Sequence, residues 1–195
     1  MNAQQIIRGK RVAMRPATPD DGRQVLEWLL GSDVTPSMLG PPLFPERPVP
    51  EPGDSGQTFD PHYLDGAAPE LGRCFLILVD GEPVGQVTYN DIVDRDGRGQ
   101  VELDIWMRSE SCCGKGFGTD ALDALCGYLH ERFGVGRFMV QPSARNPRAI
   151  RAYEKAGFKR LELPIEAARE LLGPNDYDDS VYMVRTVPRH HEPGA

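Results

Sequence analysis

Residues 101–158 read VELDIWMRSESCCGKGFGTDALDALCGYLHERFGVGRFMVQPSARNPRAIRAYEKAGF, and the rest of the chain is organised around this stretch. Val101, Leu103, Ile105 and Met107 alternate with Glu102, Asp104 and Trp106, the period of a strand with one apolar face. Three alternate glycines follow, Gly114, Gly116 and Gly118. Leu122, Leu125, Cys126, Leu129 and Phe133 then recur at helical spacing. Arg137–Gln141 predicts a second, short strand. Asn146 is a good helix N-cap, with Pro147 at the first helical position. Ala149, Ile150, Tyr153 and Ala156 share one face of that helix, and Gly157 occupies its left-handed stop.

Working outward, Cys74–Val79 and Val84–Tyr89 are strand-like and flank the hairpin turn Asp80-Gly81. A polar turn is expected over Asp94–Gly99, so three antiparallel strands lead into the glycine loop. Val12 and Met14 alternate with polar residues and suggest a first strand. Thr18-Pro19-Asp20-Asp21 opens a helix whose stripe is Val25, Leu26, Leu29 and Leu30, ending at Gly31. Downstream, a strand over Phe158–Leu163, a short helix over Ile165–Leu172 and a last strand over Val181–Thr186 are expected. No internal repeat is seen.

At 195 residues the chain fits one domain, 1–195, with one sizeable core. Apolar content of 39% and charged content of 26% are ordinary for a globular protein. The net charge of -7 argues against nucleic acid as a partner, since such binders carry a basic face. No run reaches the roughly 18 apolar residues of a membrane span, and the N-terminus lacks a signal-peptide core. Cys74, Cys112, Cys113 and Cys126 form no CxxC pair, and His62, His130, His190 and His191 complete no zinc spacing. Reduced thiols, a cytoplasmic location and no metal are therefore expected.

One segment breaks the pattern. Nine of the eighteen prolines lie between Pro36 and Pro69, which disfavours regular sheet and long helix there. The segment 35–72 also holds Glu46, Glu51, Asp54, Asp60, Asp65 and Glu70 against Arg47. Leu39, Leu43, Phe44, Phe59, Tyr63 and Leu64 give it residues that can pack, so it reads as an ordered acidic flap beside a substrate. The tail 188–195 is expected to fray.

A strand, a glycine turn and a helix N-terminus together present backbone N–H groups to an anion. The spacing excludes a Walker loop, because Gly116 or Phe117 stands where Ser or Thr is needed. It also excludes a dinucleotide loop, because Thr119 takes the place of the last glycine and the preceding strands read as antiparallel. A phosphate or pyrophosphate cradle remains.

With these motifs in view, the chain resembles the GCN5-related N-acetyltransferases, which transfer acetyl from acetyl-CoA to an amine. Their phosphate-loop signature, Gln/Arg-x-x-Gly-x-Gly/Ala, is matched over Cys113–Gly118, with Cys113 departing at the first position. Their Asn-x-x-Ala-x-x-x-Tyr-x-x-x-Gly-Phe run is matched by Asn146, Ala149, Tyr153, Gly157 and Phe158. The resemblance covers Arg11 to Thr186 and is closest in type to aminoglycoside 6'-N-acetyltransferases. Those share GKG-GT over Gly114–Thr119, the run from Asn146 to Phe158, and residues like Val181–Val184.

The resemblance implies an α+β fold, an α/β/α sandwich whose mixed, mostly antiparallel sheet has about six to seven strands flanked by helices. It implies acetyl-CoA as cosubstrate, held by Cys113, Gly114, Lys115, Gly116, Phe117, Gly118, Thr119, Asn146, Ala149 and Tyr153. The backbone of Trp106, Met107 and Arg108 would run beside the pantetheine arm. Tyr153 would be the acid for the leaving thiolate. Asp104 and Glu102 project from one face of their strand, so they can hold an ammonium group and take its proton. In the resembled enzymes the aspartate at the Asp104 position contacts the acceptor amine. Asp54, Asp60, Asp65, Asp91 and Asp178 or Asp179 are further candidates to bind a polycationic acceptor: an aminoglycoside, a polyamine or a similar metabolite. Two other readings stay open at this point, a protein N-terminal or lysyl acetyltransferase and a CoA-binding sensor without turnover. The chain is expected to act as a monomer or homodimer without a membrane partner.

Overall fold

The computed structural model describes residues 6–34, 60–95, 97–172 and 179–188. Its strands are β1 (Ile7–Arg8), β2 (Ala13–Pro16), β3 (Arg73–Val79), β4 (Glu82–Tyr89), β5 (Val93–Arg95), β6 (Arg98–Met107), β7 (Val135–Val140), β8 (Lys159–Arg160) and β9 (Met183–Thr186). Its helices are α1 (Gly22–Gly31), α2 (Pro61–Asp65), α3 (Phe117–Phe133), α4 (Pro147–Lys155) and α5 (Ile165–Leu172). The strands form one sheet in the order β1-β2-β3-β4-β6-β7-β9-β8, with β5 also paired to β6. All pairs are antiparallel except β6 with β7.

The expected class stands, with nine strands among the described residues in place of six to seven. The additions are short. β1 and β8 have two residues each, too few to carry a period, and β5 extends pairing into the expected polar turn through Val93↔Gln100. The β3–β4 hairpin turns at Asp80 and Gly81, with φ of 52° and 85°, the positive values that a right-twisted two-residue turn needs. The strand expected over Phe158–Leu163 shrinks to β8, followed by a bond from Leu161 N–H to the Tyr182 carbonyl.

One ground for excluding a dinucleotide loop needs correcting. β3, β4 and β6 are antiparallel as expected, yet β6, α3 and β7 make a parallel crossover unit. A short strand pattern cannot reveal the direction of a partner that lies beyond a helix. Thr119 at the last glycine position still separates this loop from that motif.

Packing splits the molecule at the sheet. On one face α3 and α4 bury Leu122, Leu125, Leu129, Ile150 and Tyr153 against Met14, Phe75, Val87, Leu103 and Phe138. On the other, α1 sets Val25 and Trp28 over Ala17, Cys74 and Leu76, with Tyr63 and Leu64 of α2 alongside. Ala168 of α5 covers Met139 and Tyr182 on the flank. α1 is preceded by a single 3-10 turn, Pro19–Asp21, in which the Asp21 carboxylate accepts from both the N–H and the hydroxyl of Thr18 at 2.8 Å. Arg15 of β2 donates twice to Asp21 at 2.7 Å, which pins α1 to the sheet. Residues 35–59 of the expected flap and 189–195 of the expected tail lie outside the described residues. No described helix is long and apolar enough to cross a membrane.

Candidate functional site

β6 ends at Met107, and the chain passes through a 3-10 turn, Glu110–Cys112, into the glycine loop. Gly114 and Gly116 have φ of 71° and 82°, a region that side chains disfavour, so the loop needs glycine at both. Gly118 has a different reason. It lies in the first turn of α3, where a Cβ would sit 3.2 Å from Ile105 Cδ1. Its small size lets the helix start lie close to β6. The end of α1 braces the loop, since Ser32 Oγ donates to the Arg108 carbonyl at 2.9 Å and Asp33 Oδ1 accepts from Glu110 N–H at 2.8 Å.

A cleft of about 540 Å³ opens between this loop, β6 and α4. The sequence-predicted Met107, Cys113, Gly114, Lys115, Gly116, Phe117, Gly118, Thr119, Asn146, Ala149 and Tyr153 line it together. Trp106 and Arg108 do not. Arg11, Val34, Ile105, Cys112, Leu122, Arg148, Arg151, Ala152 and Lys155 also line it and were missed from sequence. Arg148, Arg151 and Lys155 are spaced i, i+3 and i+7 after the Asn146 cap, a signal that one helix face carries positive charge. With Arg11 and Lys115, five cations and no acid line the cleft among the described residues of an otherwise acidic chain. The dipole of the 17-residue α3 adds to this potential. Arg148 also makes a bidentate pair with Glu110, which ties α4 to the loop and raises the guanidinium pKa. Burial pushes the Cys113 thiol up, so it is no ready thiolate.

Strand geometry decides which backbone groups face this cleft. Arg108 N–H bonds the Val84 carbonyl, and the Glu102 carbonyl accepts from Asn90 N–H. Successive residues of a strand turn their amides to opposite edges. Glu102, Asp104, Trp106 and Arg108 therefore direct theirs to β4, and Leu103, Ile105 and Met107 to the other edge. Past Glu102↔Met139 that edge has no ladder partner among the described residues. Of the three residues expected to run beside an extended ligand, only Met107 presents its N–H and C=O there.

α4 supplies the opposite wall. Asn146 Oδ1 accepts from Ala149 N–H at 3.0 Å, so it caps the helix as expected. Tyr153 is buried to 7% exposure, edge-on to Phe158 at 6.0 Å between ring centroids, and it lines the cleft. Arg185 donates to the Ala156 carbonyl at 2.9 Å and to Asp123 of α3 at 2.8 Å, which fixes α4 against α3 and β9.

The other face of β6 is acidic. Asp104 is exposed and Glu102 half-buried, both away from the cleft. Trp106 shares their face, and its buried Nε1 has no hydrogen-bond partner among the described residues. Tyr63 of α2 donates to Asn90 Oδ1 at 3.0 Å. Burial raises its hydroxyl pKa, and the charges of Asp91, Asp60, Asp104 and Glu102 add to the rise. The charges of these four carboxylates thus act on one tyrosine, although α2, the β4–β5 connection and β6 are separate in sequence. Asp65 lies at the end of α2 and accepts from Ala67 N–H at 2.7 Å. Asp179 is engaged by Ser143 and Arg145, which lowers its pKa, and it closes the loop that carries Asn146. Asp178 and Asp54 lie outside the described residues.

The cysteines are all free, and Cys74, Cys112 and Cys126 are buried. Burial pushes the thiols of Cys74 and Cys126 up to about 12. Among the described residues no His, Cys, Asp and Glu group is arranged to hold a metal ion.

A family model described as an acetyltransferase (GNAT) domain matches residues 11–159. An aminoglycoside N(6')-acetyltransferase type 1 of Klebsiella pneumoniae is 32% identical over 157 residues, which cover 76% of this chain and 74% of the relative. Among solved structures, AAC(6')-Ib in complex with paromomycin and acetyl-CoA superposes with a TM-score of 0.67 and 27% identity, over 91% of this chain and 94% of that one. Aminoglycoside acetyltransferase AAC(6')-Ib in complex with coenzyme A and kanamycin gives a TM-score of 0.64 and 26% identity, over 90% and 94%.

Proposed function

The chain belongs to the GNAT acetyltransferase family, and on that premise we propose that it transfers acetyl from acetyl-CoA to a primary amine of a small polycationic acceptor, an aminoglycoside 6'-amine being the favoured class. The observation that carries this reading is the opposition across β6: a cationic, glycine-rooted cleft on one side, and on the other Glu102 and Asp104, whose charges act on Tyr63 together with those of Asp60 and Asp91. A polyanionic donor suits the first and a polycationic acceptor the second.

The residues fit a coenzyme A molecule. The backbone N–H groups of the glycine loop and the α3 N-terminus donate to its diphosphate, with Arg11, Lys115, Arg148, Arg151 and Lys155 supplying countercharge. The open amides of Ile105 and Met107 pair with the pantetheine amides, and Asn146 holds its α4 side. Cys113, Phe117, Gly118, Thr119 and Ala149 complete the wall. When bound, acetyl-CoA supplies an activated acyl thioester.

Asp104 orients the acceptor ammonium and takes its proton, with Glu102 beside it to hold the charge. The amine nitrogen then bonds the acetyl carbon, and Met107 N–H stabilises the oxyanion as the carbon–sulfur bond breaks. Tyr153 gives its hydroxyl proton to the departing thiolate, and the second proton shed by the acetylated nitrogen restores the tyrosine hydroxyl through solvent. Asp60, Asp65 and Asp91 bind the remaining ammonium groups of the acceptor. Asp178 lies outside the described residues, and Asp179 already serves Arg145. The relatives whose names carry aminoglycosides favour that acceptor over peptides.

A thiol-release assay with acetyl-CoA tests this over kanamycin, spermidine and an N-terminal peptide. Kanamycin is expected to give the highest kcat/KM. Preference for the peptide overturns the acceptor class, and coenzyme A binding without thiol release for any amine overturns turnover itself.

A further inference from the structure

Before β2, a turn of the chain grips the start of α3. Asp120, in the first turn of α3, accepts three consecutive backbone N–H groups: Lys10 at 3.0 Å, Arg11 at 2.7 Å and Val12 at 3.0 Å. The turn is closed by Gly9 N–H to the Val12 carbonyl at 2.9 Å, and a Cβ at Gly9 would collide with the Asp120 carboxylate. Three amides converging on one carboxylate make a strong, charge-assisted clasp. The partners are more than a hundred residues apart, so this contact is a product of the fold.

The clasp delivers the Arg11 side chain to the glycine loop. Its guanidinium donates to the Lys115 carbonyl and lies 5.3 Å from the centre of the Phe117 ring. It lines the cleft and abuts Gly116, where a Cβ would meet its Nη1 at 2.9 Å. An uncovered carbonyl in a phosphate cradle repels the anion. Here that carbonyl is covered, and a permanent positive charge stands in its place. The capture also orients the planar Lys115–Gly116 peptide, on a loop whose flanking glycines would otherwise let it turn over.

We infer that Arg11 is a phosphate-binding residue of the coenzyme A site, that it fixes the orientation of the Lys115–Gly116 peptide, and that Asp120 is a positioning residue acting through it. This rests on the acetyl-CoA reading given above. In the cleft Arg11 does what the usual Gln or Arg of the loop's first position cannot do here, because Cys113 stands there with a neutral thiol.

Calorimetric titration with coenzyme A tests the inference on the full chain, with melting temperatures measured beside it. Arg11→Gln is expected to weaken coenzyme A by about tenfold, Arg11→Lys by less, and the Gln deficit to shrink at high salt. The KM for acetyl-CoA should rise while kcat moves by less than twofold. Asp120→Asn should weaken binding in the wild-type background and add little to Arg11→Gln, since coupled residues are not additive. Arg11→Gln binding within twofold of wild type overturns the phosphate role. Additive loss in the double variant, or loss that only follows melting temperature, overturns the positioning role. A wild-type chain that does not bind coenzyme A instead defeats the acetyl-CoA reading itself.

Discussion

The glycine loop and the acidic patch around Tyr63 lie on opposite sides of one strand, but they are built in different ways. The loop is local. Residues 113–119 carry their own constraints, two positive φ angles and one close approach to Ile105, and in the proposed reading backbone amides do the binding. The patch is assembled from a distance. Asp60, Asp91, Glu102 and Asp104 come from three separate segments, and in the proposed reading their side chains carry the chemistry. A local backbone site tolerates few substitutions and serves one ligand class. A side-chain site is easily retuned. The difference explains why a donor site of this kind can be kept while acceptors change.

The sharpest way to break this comparison is to change one side and watch the other. Asp104→Ala should lower kcat by about 100-fold or more, in line with loss of a proton acceptor, while coenzyme A affinity stays within twofold by calorimetry. If affinity falls as well, the two sides are not independent. Gly116→Val acts on the opposite side. Valine is strained at φ 82° and meets Arg11, so coenzyme A affinity should fall by roughly 50-fold, with a modest loss of melting temperature.

The smallest expected effect concerns the frame of the acidic side. Arg15 holds the Asp21 carboxyl at about 2, below its ordinary 3.8, with help from Thr18. A carboxyl lowered by folding stabilises above the ordinary value and loses that contribution as pH falls through about 2. Asp21→Asn should therefore reduce the melting temperature by about 3–5 °C at pH 7, and the gap to wild type should close between pH 4 and pH 2. Coenzyme A affinity should not change, because this pair braces α1 and not the cleft.

The same contrast accounts for what could be read in advance. Gly114, Gly116, Asn146 and Gly157 were legible because each answers a demand of its immediate backbone: a positive φ, a cap or a stop. The alternation in β6 correctly put Leu103 on the core face and Asp104 on the exposed one. Arg11, Asp120 and the Arg148–Glu110 pair were invisible because their partners are brought together only by the sheet. Direction was hidden too, since nothing in the β7 pattern tells that it runs parallel to β6. The amide edge facing the cleft, at Ile105 and Met107, needed the register with β4 before it could be assigned.

β6 also sets a rule for insertions and deletions. Ile105 and Met107 line the cleft while Glu102 and Asp104 lie on the alternate positions, so under the proposed reading the two halves of the enzyme are interleaved one residue at a time. Losing a single residue between Leu103 and Met107 would exchange the faces, swinging a carboxylate toward the phosphates and an apolar side chain toward the amine. Length changes should therefore be lethal within these few residues. Loops that only deliver side chains to the acidic patch are free to grow or shrink, and new acceptors can be acquired there without rebuilding the sheet.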